Sequence, residues 1–83
     1  MTDYQKASLP DEIRLLEKAD RDIEAGEARV REQTALIEEL ERDGHDTSLA
    51  LKLLTTLKDS LQAMVAHRTL ILERIQYLNR ERD

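Results

Sequence analysis

The sequence contains no cysteine, tryptophan or phenylalanine, and only one proline and two glycines in 83 residues. Without cysteine, disulfides and thiolate metal sites are excluded. With Tyr4 and Tyr77 as the aromatic residues, any core must be built from Leu, Ile, Val, Ala and Met, which suits helix packing better than a β-sandwich. No apolar run approaches the roughly 20 residues that span a bilayer. Met1-Thr2-Asp3-Tyr4-Gln5-Lys6 lacks the basic-then-apolar form of a signal peptide, so a cytoplasmic location is expected.

Catalytic patterns are missing as well. There is no His-Glu-x-x-His, no glycine-rich phosphate loop and no nucleophile paired with a base. The residues three before His67 and His45 are Met64 and Arg42, not the Glu that carboxylate-bridged di-metal bundles place there. A chain this short offers few concave pockets. The expectation is a protein that is not an enzyme and that takes no cofactor and no metal.

Charge is plentiful and uneven. The net charge is −5: residues 1–43 hold 13 acidic and 7 basic side chains, residues 44–83 hold 5 and 6. An acidic first half argues against nucleic acid and anionic membrane as partners, because both reward basic surface. It also favours packing the two halves on each other rather than acidic half on acidic half.

The pattern along the chain is helical. Residues 1–7 are polar and unpatterned and read as an N-terminal arm. Ser8-Leu9-Pro10-Asp11-Glu12 is a helix start: Ser8 can cap, Pro10 is tolerated in the first turn, and the two acids suit the positive end of the dipole. Ser8 with Asp11 approximates a capping box. Leu16, Ile23, Val30 and Ile37 then recur every seven residues, with Ala19, Gly26, Gln33 and Leu40 as their seam companions. This is an a/d pattern with one layer of small or polar residues. The first helix is expected over about 9–43, with Gly26 explained by close approach of a neighbouring helix.

Gly44 fits the left-handed position just past a helix end, and Asp46 or Thr47 can cap a second helix. With the turn at 44–46, that second helix is expected over about 47–80. Its seam runs Ala50, Leu54, Leu57, Leu61, Met64, Arg68, Ile71, Ile75 and Leu78. A loop this short makes the helices antiparallel neighbours. Folding about residue 45 sets Gly26 opposite Met64 and Ala19 opposite Ile71, large against small. The fold class is all-α, an antiparallel two-helix hairpin resembling a coiled coil.

The second helix has more apolar surface than one stripe. Between Ser48 and Leu72 only Lys52, Lys58, Asp59 and Arg68 are charged, while Leu49, Leu51, Leu53, Val65, Leu70 and Leu72 lie beside or away from the seam. A contiguous apolar patch of that kind is rare on a monomer. A homodimer forming a four-helix bundle is therefore expected, with Leu53, Leu54, Leu57, Leu61 and Met64, together with Val65, Ile71, Leu72 and Ile75, at the oligomer interface. The charged first helix flanks it and can face a protein partner. The alternative is another protein's helix laid onto the second helix.

Two residues are functional candidates. Arg68 falls on the apolar seam, near Asp20 and Glu27 in the hairpin register, where a bridging ion pair would fix alignment. His67 lies at the seam edge in Ala66-His67-Arg68. Histidine phosphotransfer domains and the dimerisation domains of histidine kinases are also bundles with one exposed His. The resemblance stops at Ala-His-x-x-Leu, without the kinase motif's acidic neighbour and proline or the Lys-Gly common in phosphotransfer modules.

A broader likeness covers roughly residues 19–75. Gly26-Glu27, Arg29-Val30, Gln33, Leu36-Ile37 and Leu40, the turn Asp43-Gly44-His45-Asp46-Thr47, then Ala50, Leu53-Leu54, Leu57 and His67-Arg68 resemble a group of small, uncharacterised bacterial helical-hairpin proteins. Its most specific part is the Asp-Gly-His-Asp-Thr turn. The resemblance implies the hairpin fold and a bacterial origin, and the group carries no assigned activity.

Overall fold

The computed structural model describes residues 8–82, so the expected arm over 1–7 lies outside it. Two helices, α1 (Leu9–Arg42) and α2 (Ser48–Arg82), pack against each other as a hairpin. No strand occurs among the described residues. The second helix begins one residue later and runs two residues further than the periodicity alone placed it.

Local chemistry accounts for each boundary. Ser8 is extended (φ −120°, ψ 153°), and its hydroxyl accepts the Asp11 N–H at 3.3 Å. The reciprocal arm of a capping box is not made by Asp11, whose carboxylate pairs with Arg14 instead. At the other end Gly44 has φ +74°. The Gly44 N–H donates to the Glu41 carbonyl at 3.1 Å, and the His45 N–H to that of Leu40 at 2.9 Å. These are the two bonds of a Schellman motif, which satisfies carbonyls the helix end leaves free. Asp46 then caps α2: its Oδ1 accepts both the Ser48 N–H (2.9 Å) and the Ser48 hydroxyl (2.7 Å). The Thr47 carbonyl accepts the Leu51 N–H at 2.9 Å.

The seam is where the two helices meet, and its small-residue layer is the best-buried part of α1. Ala19, Gly26 and Gln33 are all buried, because small side chains such as those of Ala19 and Gly26 let the opposing helix come close, and Ile37 of the larger layer is buried as well. A Cβ on Gly26 would lie 3.2 Å from Leu61 Cδ1 and 3.4 Å from Met64 Sδ. Gly26 therefore faces both residues, not Met64 alone. Gln33 bridges the helices by donating from Nε2 to the Ala50 carbonyl at 2.9 Å. On α2 only Ile71 is fully enclosed, at 0% exposure, and the other seam residues are half-buried. The reason is thickness. The molecule measures 61 × 21 × 14 Å, one helix deep, so none of the described residues covers its two broad faces.

The two glycines give opposite expectations. Gly44→Ala forces a Cβ into the left-handed region and should cost about 1–2 kcal/mol, through the backbone alone, since nothing lies within 4 Å of the added atom. Gly26→Ala should be neutral or stabilising by up to about 1 kcal/mol, the gain in helix propensity, because the atoms it meets are the free ends of flexible side chains. Gly26→Leu should destabilise by overpacking. Urea denaturation of the three variants checks all of this, and a destabilised Gly26→Ala would show that the seam cannot give.

Asp46 makes stability depend on acid. The hydrogen bonds from the Ser48 hydroxyl and then the Ser48 N–H hold its carboxyl below the ordinary 3.8. A depressed folded value means the contribution is complete above the unfolded value and is lost as pH falls through the folded one. Asp46→Asn should therefore remove part of the loss of thermal stability that the native chain shows on acidification below pH 3.8, and an unchanged acid profile would refute the cap's role.

Candidate interaction surface

The residues expected at an oligomer interface divide into two sets. Leu54, Leu57, Leu61, Met64 and Ile75 are half-buried at seam positions, and Ile71 is wholly enclosed. Within the hairpin the Ile71 side chain has no exposed surface. Leu72 is half-buried beside the seam. Leu53 and Val65 are exposed, and only this kind of residue is free to meet another molecule.

The uncovered apolar surface is larger than those two residues. Leu49 is 80% exposed, Leu70 54% and Tyr77 55%, and Leu51 and, on α1, Leu36 are also exposed. Near the turn, Leu36 and Leu40 of α1 and Leu49, Ala50 and Leu53 of α2 line an open groove of ≈ 570 Å³, with Gln33 and Asp46 at its margin. The groove shows that Leu36 lies on the same broad face of the hairpin as Leu49 and Leu53.

Arg68 is on the seam as the heptads require, and its Nε donates to Asp20 Oδ1 at 2.5 Å. Both groups are substantially exposed, so the pair aligns the helices more than it stabilises them. His67 is exposed and makes no hydrogen bond to the described residues. An accessible imidazole does not by itself single out phosphoryl transfer. Among the described residues, no group of three or more His, Asp or Glu could hold a metal ion, and no helix is long and apolar enough to cross a membrane.

The pair that sequence reasoning missed is Glu12–Arg74. Glu12 reads as a first-turn acid favoured by the dipole, yet its side chain is only 6% exposed. Arg74 Nε donates to its Oε1 at 2.8 Å, while Oε2 is buried with no hydrogen-bond partner. The signal was present: Glu12 lies seven residues before Ala19 and extends the series Ala19, Gly26, Gln33 by one step. The chain matches no protein-family model, no curated protein and no solved structure.

Removing Arg74 should leave a buried carboxylate uncompensated. Arg74→Leu is expected to destabilise by about 2 kcal/mol, below the value for a fully buried pair because Arg74 is half-exposed. Glu12→Leu/Arg74→Leu should recover most of that loss. Simple additivity of the two single substitutions in urea melts would disprove the coupling.

Proposed function

We propose that this chain is a non-enzymatic helical interaction protein that self-associates through the uncovered flank of α2 into a four-helix bundle. The observation that supports it most directly is the row of exposed leucines on a face that carries few charges, Leu49, Leu53 and Leu70 above all. Burying each is worth roughly 1.5–3 kcal/mol, and among the described residues the hairpin encloses only Ala19, Ile37 and Ile71 of its apolar side chains. The acidic side of α1 stays in water in such a bundle and is available to a protein partner. The competing reading is an adaptor whose α2 is covered by a different protein and which is weakly folded alone.

Light scattering separates the readings, with circular dichroism alongside. A homodimer has about twice the 9.6 kDa chain mass and strong, cooperative helicity. Leu53→Glu and Leu70→Glu, at exposed positions, should shift the protein to monomer while leaving the hairpin helical. Leu61→Asp strikes the seam against Gly26 and should abolish dimer and helicity together. A monomeric native chain at micromolar concentration refutes self-association, and weak helicity in that monomer favours the adaptor.

A further inference from the structure

Resting on the self-association reading, we infer that two copies stack broad face to broad face, α1 on α1 and α2 on α2, both antiparallel. The two-fold axis crosses the hairpin at the level of Ala25 and Ala63.

α2 carries a stripe along one of the broad faces. From Leu49 to Tyr77, residues spaced alternately four and three apart share one helix face, and all are exposed except half-buried Arg74. The stripe contains no acidic residue, and its one permanent cation, Arg74, is bonded to Glu12 within the same chain. Its middle is small, Ser60 and Ala63, and its ends are large. Antiparallel pairing about Ala63 is self-complementary. Leu49 and Tyr77 are both fourteen residues from that centre, Thr56 and Leu70 both seven, Ser60 and His67 three and four, and Leu53 and Arg74 ten and eleven, so Leu53 meets the side chain of an Arg74 whose guanidinium is held by Glu12. The second copy's Tyr77 then seats at the groove formed by Leu36, Leu40, Leu49 and Leu53.

The stripe of α1 on the same face, from Leu15 to Leu36, is charged, and its charges obey the same symmetry. About Ala25, Lys18 and Glu32 are each seven residues away, Asp22 and Arg29 three and four, Leu15 and Leu36 ten and eleven. An antiparallel second copy thus brings Leu15 to Leu36, and sets Glu32 and Arg29 of one copy beside the Lys18–Asp22 ion pair that the other already holds within its own chain at 2.8 Å. Further out, Asp11 would approach Glu39, but Asp11 is already paired with Arg14.

The two centres fall at one level. Gly26, the neighbour of Ala25, sits against Leu61 and Met64, which bracket Ala63. A single axis therefore satisfies both helices. The stripe between Leu15 and Leu36 holds two cations and two anions, so this part of the face is neutral although each chain carries a net charge of −5. The other face-to-face stacking, α1 on α2, would bury those charges against leucines. The shared face is about 42 Å long and two helices wide, about 800 Å² per copy, which is the size of a standard specific interface.

Because the chain has no cysteine of its own, single cysteines report the axis directly. Ala63→Cys and Ala25→Cys should each oxidise to a disulfide-linked dimer of themselves, roughly tenfold faster than the outward-facing Asp59→Cys, since only residues on the axis bring their Cβ atoms to bonding distance. Circular dichroism confirms that each variant stays helical. Asp22→Arg should weaken the dimer several-fold, and Asp22→Arg/Arg29→Asp should restore it. Equal crosslinking at all three positions overturns the arrangement, as does a disulfide formed only when the Ala25 and Ala63 variants are mixed. A native chain that is monomeric by light scattering defeats self-association itself, whereas a dimer that fails these crosslinks defeats only the axis.

Discussion

Two helices laid side by side share one surface, and every other property of this hairpin depends on how that surface is used. α1 contributes little bulk to it. Its inner layer of Ala19, Gly26 and Gln33 lets α2 come close, and the volume is supplied by α2 through Leu61, Met64 and Ile71. Close approach raises dispersion contacts along the seam, at a cost in helix propensity at Gly26. It also consumes α2's largest seam residues within the chain, which is why Ile71 has no exposed surface left.

A seam so filled cannot cover the flanks. Each helix turns roughly two thirds of its circumference outward, and on α1 that surface is charged, as a solvated helix should be. On α2 it is not. Leucine on an outward face contributes nothing to the monomer and invites aggregation, and the stripe from Leu49 to Tyr77 leaves Leu49, Leu53 and Leu70 exposed. The acidic excess of residues 1–43 is placed so that this face stays electrically balanced: Lys18 and Arg29 oppose Asp22 and Glu32 on it. In the proposed dimer, charge sets where copies can meet, and apolar area supplies the attraction.

Much of the fold was legible because its determinants are local or periodic. Ser8, Gly44 and Asp46 act within a few residues of themselves, and the heptads of both helices report the seam directly. Arg68 was legible as a seam cation with Asp20 or Glu27 in reach, though only three-dimensional alignment could choose Asp20. The contacts that escaped are those in which a polar residue occupies a seam position. Gln33 counts as a weak apolar slot in a periodicity argument, yet it donates to the Ala50 carbonyl. Glu12 was masked by a sufficient local explanation, the helix dipole, which made its place in the heptad series easy to overlook. The enclosure of Ile71 was invisible for a different reason: burial depends on how the ends of the two helices overlap, which no pattern on one helix encodes.

These polar seam residues solve a problem that leucine heptads create. A regular apolar seam is nearly as well satisfied after sliding by a whole heptad, and a short turn restrains slippage at one end only. Here alignment is fixed at several levels along the hairpin: Gln33 to the Ala50 carbonyl near the turn, Gly26 under Leu61 and Met64 at the middle, Asp20 to Arg68 beyond it, and Glu12 to Arg74 at the open end. A slip by seven residues would strand a buried carboxylate and drive a leucine into a position with no glycine opposite. Neither ion pair contributes much net stability, since Asp20 and Arg68 are wet and Glu12 keeps one oxygen unpartnered. Their effect is to make wrong registers expensive. That restriction matters beyond the hairpin, because a face built from two stripes is coherent only when α1 and α2 hold one alignment. The same polar contacts that specify the fold therefore also specify the surface it presents.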